Sequence, residues 1–240
     1  VDLTYDPAST SYTQTVSGAK GPVVYRSGDE SVAAVDATTG EVTIRKAGTV
    51  VITAMSDDSN QNYARSSATY TLVIQKAAQN APAGLEGTAP SSIDGTDGTI
   101  TGVTSAMEYS ADGVNYVTCP DGTLAGLNSG IYQVRFKETD THRAGAALDV
   151  TVPVHQHTFD QEAESQQYHK ADATCLSPAL YYKSCACGVS SEGTAGEATF
   201  EVGQKLDHDF QWKDYDNNYH VKQCRNGCDA WDMTTKEAHV

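Results

Sequence analysis

Five of the six cysteines and six of the seven histidines in this 240-residue sequence fall within residues 155–240. The informative order is His157, Cys175, Cys185, Cys187, His208, His220, Cys224, Cys228, His239. Thiolate sulfur and neutral imidazole nitrogen are good zinc ligands, and a structural zinc takes four of them in a closed tetrahedron. A repeated Cys/His pattern in a segment too small and polar to bury a core of its own therefore predicts metal cross-links.

Two ligand sets follow from the spacing. Nine residues separate Cys175 from Cys185, and the strand-like Tyr181-Tyr182-Lys183-Ser184 between them can carry the chain away and back. Ala186 leaves Cys185 and Cys187 on the same side of an extended strand, and Gly188 permits the tight turn that points both thiolates at one ion. Cys175, Cys185, Cys187 and His208 make the first set, with His157 the rival for its fourth place. The second set is His220-x3-Cys224-x3-Cys228-x10-His239, with Asn226-Gly227 as the turn between the cysteines. The competing reading is disulfides, Cys175–Cys185 or Cys224–Cys228, which are common in exported proteins but leave the recurring histidines without a role.

Catalytic chemistry has weaker support. A catalytic zinc needs an open coordination position and a nearby general base, and the sequence has no H-E-x-x-H helix. Glu192, Glu197 and Glu201 lie near the cysteines in sequence, but nothing aims them at a metal. Cys119, beside Pro120, reads as a small buried hydrophobe. Asp94-Gly95-Thr96-Asp97-Gly98 and Asp57-Asp58-Ser59-Asn60 could offer carboxylates to calcium, although Asp/Gly pairs of this kind ordinarily make turns. Tyr181, Tyr182, Trp212, Tyr215, Tyr219 and Trp231 could stack on sugar rings, or cover the small metal-stapled cores.

The elements that would position these residues read as β throughout. Val42 and Ile44 alternate with polar neighbours, as do Val50, Ile52 and Ala54, and again Tyr70, Leu72 and Ile74. Turn signals such as Ser27-Gly28-Asp29 and Asp36-Ala37-Thr38-Thr39-Gly40 separate the runs, which is the rhythm of a β-sandwich. Lys76 to Pro90, rich in Ala, Gly and Pro, reads as a linker. Strand candidates then resume at 99–103, 107–109, 116–117 and 131–136, punctuated by Asp-Gly pairs. His155-Gln156-His157-Thr158-Phe159 opens the Cys/His segment, His208-Asp209-Phe210 nearly copies that opening, and His239-Val240 would be a third copy. The predicted domains are residues 1–76, 77–153, 154–207 and 208–240.

Charge narrows the function classes. Sixteen basic against thirty-one acidic residues give a net charge of −15. The segments 1–76, 77–153 and 154–240 are all acidic, so none offers the basic stripe that nucleic acid or an anionic membrane requires. No apolar run approaches the roughly 20 residues of a membrane-spanning helix, and Val1-Asp2-Leu3-Thr4 is not a signal peptide. The sequence reads as a piece of a longer exported protein.

The stretch VVYRSGDESVAAVDATTGEVTIRKAGTVVITA resembles the group 2 bacterial immunoglobulin-like domain over about residues 1–76. That resemblance implies a β-sandwich used as a repeated spacer or adhesive module on bacterial surface proteins, with no general active site. TDGTITGV, AMEYSADGVNY and the following LAGLNSGIYQVRFKETDTHRAGAALDVTV are similar to a fibronectin-type-III-like or Ig-like module of anaerobic Firmicutes surface proteins. ATCLSPALYYKSCACG and HVKQCRNGC resemble Cys/His repeats found beside such domains; the relatives often have a two-residue spacer and a Gly after the second Cys, where this chain has three residues and Asp229. Anaerobic Gram-positive organisms have little oxidising machinery, which favours zinc over disulfides.

The expectation is an all-β chain of two small sandwiches and two loop-rich, zinc-stapled Cys/His modules in an elongated arrangement. It would be a non-catalytic stalk or adhesion region of a cell-surface or secreted bacterial protein, with two structural zinc ions. The alternative is an accessory module binding host glycan or protein within a secreted glycosidase or peptidase.

Overall fold

The computed structural model describes residues 1–56 and 63–239, so the Asp57-Asp58-Ser59-Asn60 turn lies outside the described residues. Among the described residues the chain is nearly all β, with one short 3-10 turn at Gln166–Tyr168. Among the described residues no helix is long and apolar enough to cross a membrane. The chain divides into two compact units, Val1–Val154 and His155–Val240.

The first unit opens with β1 (Asp2–Thr4), β2 (Ser11–Thr13), β3 (Val23–Ser27), β4 (Ala33–Val35), β5 (Glu41–Ile44), β6 (Gly48–Ser56) and β7 (Ser67–Gln75). They form two sheets, ordered β1-β7-β6-β3 and β2-β5-β4, with β1 and β7 parallel and the other pairs antiparallel. The alternation seen in the sequence is what fills the space between the sheets. Val42, Ile52 and Leu72 are fully buried, with Ile44, Val50, Ala54 and Ile74 beside them, while Val51 faces out. Burying each of these larger side chains stabilises the fold by about 2 kcal/mol, so a one-residue slip in register would turn the whole row outward. Gly40 closes the β4–β5 turn at φ +74, where a methyl group would press against the Tyr25 ring. Asp36 fixes the same turn by accepting the Thr38 and Thr39 amides at 2.9 and 2.7 Å.

The second sandwich contains β8 (Glu86–Thr88), β9 (Gly98–Val103), β10 (Met107–Ser110), β11 (Val117–Thr118), β12 (Gly122–Leu127), β13 (Gly130–Phe136) and β14 (Leu148–Val152). Its sheets run β11-β10-β13-β14 and β12-β9-β8 around a core that includes Ile100, Val103, Val134, Val152 and Cys119. Cys119 is 2% exposed, and burial pushes its thiol pKa up, as suits a packing residue rather than a nucleophile. Asp97 accepts the Ser91 amide at 2.9 Å, an ordinary turn contact.

The stretch read as a linker is docked rather than free. Ala77 donates its amide to Thr141 O at 2.9 Å and accepts from the Arg143 amide at 2.8 Å. Gln79 Nε2 donates to the carbonyls of Lys137 and Arg143 at 3.0 and 2.7 Å. The same loop reaches the first sandwich, where the Ala47 amide donates to Asp140 O at 3.0 Å and Tyr5 meets His142 edge-on. Composition signals the lack of side chains that would impose a strand, but a backbone lying against a loop still pairs its polar groups.

The second unit holds two three-stranded antiparallel sheets. One is β15 (His169–Ala171), β16 (Ala179–Tyr182) and β17 (Thr199–Val202) in chain order; the other is β18 (Phe210–Asp214), β19 (Tyr219–Cys224) and β20 (Trp231–Ala238). Among the described residues the two clustered hydrophobic cores both belong to the first unit. The buried apolar side chains here are few: Tyr168, Tyr182, Cys185, Val221 and Cys224. A unit of this size with so little apolar burial needs another source of stability.

Candidate metal centres

Two groups of four ligand atoms occupy the second unit. His155, His157, Cys185 and Cys187 form one group, and Cys175, His208, Cys224 and Cys228 form the other, with all ligand atoms of a group within 4.8 Å of one another.

The first group is assembled by pairing an extended segment with a tight turn. The Gln161 amide donates to Ser184 O and the Ser184 amide to Gln161 O, both at 2.9 Å, which ties the histidine segment to the end of β16. His155 and His157 are two residues apart, a spacing that on extended backbone presents both on one side, whereas Cys185 and Cys187 are brought together by a turn at Ala186 and Cys187 and not by the extended strand expected from the sequence. Gly188, at φ +88, closes the cysteine turn; its amide donates to Cys185 O at 2.8 Å and its carbonyl accepts the Tyr168 hydroxyl at 3.0 Å. Cys185 Sγ lies 3.5 Å from His155 Nε2, and Cys187 Sγ lies 3.3 Å from His157 Nδ1.

The second group draws on both predicted modules. Cys175 comes from the loop before β16, His208 from just before β18, Cys224 from the end of β19 and Cys228 from the turn beyond it. Cys175 Sγ is 3.7 Å from Cys224 Sγ, and His208 Nδ1 is 3.4 Å from both Cys224 Sγ and Cys228 Sγ. Backbone bonds hold the loop in place: the Cys175 amide donates to Asn226 O, and the Leu206 amide to Thr174 O, each at 2.8 Å. Gly227, at φ +82, lies so close to Thr174 that a side chain there would collide with it.

These separations fit a tetrahedral ion. Metal–sulfur bonds near 2.3 Å and metal–nitrogen bonds near 2.0 Å give ligand–ligand edges of about 3.5–3.8 Å. A disulfide needs sulfurs at about 2.05 Å, and all six cysteines are free thiols.

Protonation is consistent with ligation. The Cys187 amide, then the His157 and Cys187 side chains, hold the Cys185 thiol down at about 5. At Cys224 burial works against ionisation, but His208, the Asn226 amide and Cys228 outweigh it and bring the thiol to about 6. Burial, then Cys228 and Cys224, push Cys175 up to about 12, so the metal-free second group keeps a proton that a bound cation would displace.

The predicted residues are thus grouped differently from the sequence reading. Cys185 and Cys187 stand together, as do Cys224 and Cys228, but Cys175 and His208 sit with the second cysteine pair and His157 with the first. His155 is an additional candidate ligand, legible only in its two-residue spacing from His157. The two histidines of the repeated His-x-Phe openings play the same part: each presents Nδ1 to sulfur, with its ring stacked on the following Phe159 or Phe210. His220 and His239 lie away from the thiols, His220 Nε2 being 3.6 Å from Glu237 and His239 Nε2 3.7 Å from Asp214. Glu197 is bound to Lys170 Nζ and the Gly193 amide.

The aromatic side chains of the last sheet carry lysines on their faces. Lys222 lies 5.2 Å over Trp212, Lys213 5.8 Å over Trp231, and Lys236 4.0 Å over Tyr219. Tyr181 instead packs between His169 and Phe200.

Residues 7–58 match the family model of the intimin immunoglobulin-like domain, so the first sandwich is similar to a bacterial Ig-like domain. No curated protein matches the chain. Among solved structures, human protocadherin-24 EC1-2 is 13% identical, with 65% of this chain and 94% of that one covered at a TM-score of 0.27. The Bacteroides ovatus mixed-linkage glucan utilization locus SGBP-B, in complex with mixed-linkage heptasaccharide, is 14% identical, with 99% and 64% covered at a TM-score of 0.22. The S-layer protein rSbsC(31-844) is 11% identical, with 94% and 33% covered at a TM-score of 0.20. At these TM-scores the likenesses carry no functional weight.

Proposed function

We propose that this chain is a non-catalytic region of an exported bacterial cell-surface or secreted protein, acting as a spacer and adhesion segment. In it an Ig-like sandwich of the group 2 kind, a second, fibronectin-type-III-like sandwich and two Cys/His modules follow one another. The modules are closed by structural zinc, held by His155, His157, Cys185 and Cys187 in one and by Cys175, His208, Cys224 and Cys228 in the other. The observation that carries this reading is that each group brings four protein ligand atoms within 4.8 Å of one another. Four protein ligands leave no open position for substrate or water, which is the distinction between a structural and a catalytic zinc.

Zinc bound here would supply cross-linking. Apparent binding free energies of structural zinc run to about 10–16 kcal/mol in small peptides, comparable with the entire stability of an ordinary domain, about 5–15 kcal/mol. A unit with few buried apolar side chains would then hold its shape through its ligands, and a surface segment built this way resists unfolding and proteolysis.

The test is composition. Protein purified without chelator should contain close to two zinc ions per chain and six titratable thiols after denaturation. Paired cysteines with no zinc would overturn the reading.

A second reading, an accessory module for host glycan or protein, draws on Trp212, which is 47% exposed. Lys222 lies 5.2 Å over that ring and covers one of its two faces, so the spacer reading is preferred. A glycan-array signal abolished by Trp212→Ala would reverse that preference.

A further inference from the structure

The second ligand group contains two sulfurs placed for a bond of their own. Closing the 3.7 Å between Cys175 Sγ and Cys224 Sγ to the 2.05 Å of a disulfide takes a shift of only about 1.7 Å. The two backbones already run side by side, because the Cys175 amide donates at 2.8 Å to the carbonyl of Asn226, two residues beyond Cys224. Cys224 is fixed at the end of β19, where its own amide donates to Ala230 O at 2.8 Å. Cys175 stands in the loop before β16, outside any strand, and is the partner free to close the gap. It is also half-buried, which leaves the pair within reach of a small oxidant.

The other cysteine pairs gain less from a bridge. One residue separates Cys185 from Cys187, and three separate Cys224 from Cys228. A bond within either pair closes a short loop and restrains little of the unfolded chain. Cys175 and Cys224 are 49 positions apart, and the stabilisation a disulfide gives grows with the loop it closes.

We infer that Cys175 and Cys224 are a site of reversible oxidative modification, where a hydroperoxide converts the metal-held contact into a disulfide. Hydrogen peroxide oxidises one of the two thiols to a sulfenic acid: its O–O bond breaks, sulfur supplies the two electrons, and one water leaves. The other sulfur then attacks the sulfenic sulfur, and the S–S bond forms as hydroxide departs with the remaining thiol proton as a second water. In sum two S–H bonds and one O–O bond break, while one S–S bond and two O–H bonds form. Where the sulfurs start as metal ligands, two sulfur–metal bonds break in place of the S–H bonds and solvent supplies the protons. His208 and Cys228 are then the only donors left of the four a structural zinc takes, so this group releases its ion. The link between the loop before β16 and the end of β19 persists as a covalent bond, suited to the oxidising medium that exported proteins meet. The first group, whose thiols share one turn, keeps its ion. The inference deepens the structural-zinc reading and rests on it for the release of metal; the disulfide itself needs only the two thiols.

The experiment uses the full chain, purified with reductant and moved to reductant-free buffer under nitrogen, with zinc measured before a molar excess of hydrogen peroxide is added. Released zinc is followed with a colorimetric indicator. Disulfides are mapped at successive times by mass spectrometry of unreduced digests after free thiols are blocked. Mapping is confined to times when Cys119, 2% exposed, is still a free thiol, so that the pairing read is that of the folded chain. The first disulfide should be Cys175–Cys224, zinc should fall from two ions per chain to one, and dithiothreitol with added zinc should restore both. A first disulfide between any other pair, oxidation to sulfinic acid with no disulfide, or loss of both ions together overturns the inference. A chain that starts without zinc and still forms Cys175–Cys224 first overturns the structural-zinc reading and leaves this one standing. A chain that starts with two ions and pairs other cysteines first does the reverse.

Discussion

Cys175 and Cys224 are 49 residues apart in sequence, yet their sulfurs lie 3.7 Å apart. That contact joins the loop before β16 to the end of β19, so the second ligand group belongs to neither predicted module alone. The first group is built from residues 155–187 only. With zinc bound as proposed, the two groups would do different work: one would close the first module, and the other would clamp the second module to it.

Replacing a ligand in each group should separate these roles. Cys187→Ser and Cys175→Ser should each lower the zinc content from two ions to one. Only Cys175→Ser should also speed amide exchange at position 175, whose amide binds Asn226 O across the junction. Equal exchange at this amide in the two variants would show that the second group is not the clamp.

The thiol shifts predict a reactivity order in chelator-treated protein. Cys185, held down at about 5, should be alkylated as a thiolate at pH 6, whereas Cys175, pushed up to about 12, should stay slow above pH 9. The linkage has a definite sign. Cys185 titrates lower in the folded chain than in the unfolded one, so its stabilisation is complete above the unfolded thiol pKa and is lost as pH falls through about 5. Cys175 is the reverse: its contribution is complete below the unfolded value and is lost as pH rises through about 12. Mass-spectrometric labelling across pH checks both, and a single common midpoint near the ordinary thiol value would mean that the fold is lost with the metal.

The sandwich strands were legible because one physical cause, burial on one face, writes a two-residue period into the chain. Val42/Ile44 and Leu72/Ile74 show it, and each pair is buried as its alternation demands. The cysteine pairs were legible for a similar reason, since the spacing of Cys185 and Cys187 and the turn at Asn226-Gly227 are local. The rest of each ligand set was not. It depends on the pairing of Gln161 with Ser184 and of Thr174 with Leu206, contacts between segments with no apolar pattern to announce them. Reading each set as contiguous assigned Cys175 to its nearest cysteines in sequence, whereas the backbone carries it to Asn226. The docking of residues 77–79 was hidden likewise, because backbone bonds leave no mark on side-chain composition.

Gly87 tests the packing of the second sandwich. A methyl group there would collide with the Thr151 carbonyl oxygen, so β8 could not keep its place against β14. Gly87→Ala should destabilise the first unit by about 3 kcal/mol, in the upper range for overpacking. Zinc content should be unaffected. Denaturant unfolding followed in parallel with metal analysis checks this, and a loss of less than about 1 kcal/mol would mean that the strand shifts freely.

Asp229 follows Cys228, and among the described residues it is the one non-glycine with positive φ, at 50°. An L side chain in this conformation costs about 1–2 kcal/mol, less for Asp, whose short polar chain can bond locally. Here its carboxylate accepts Gln223 Nε2 at 3.4 Å, a long and weak bond. Asp229→Gly removes the strain but gives the unfolded chain more freedom, so it should change stability by no more than about 1 kcal/mol in either direction. Asp229→Val keeps the side-chain strain, adds branching at Cβ and loses the bond, and should cost about 1–2 kcal/mol. Because the turn sets the direction of the Cys228 sulfur, the valine variant should also release zinc to a competing chelator faster than the glycine variant. Thermal unfolding and chelator-release rates measured on the pair decide the matter: equal behaviour of glycine and valine would show that the backbone at 229 relaxes to negative φ without disturbing the ligand.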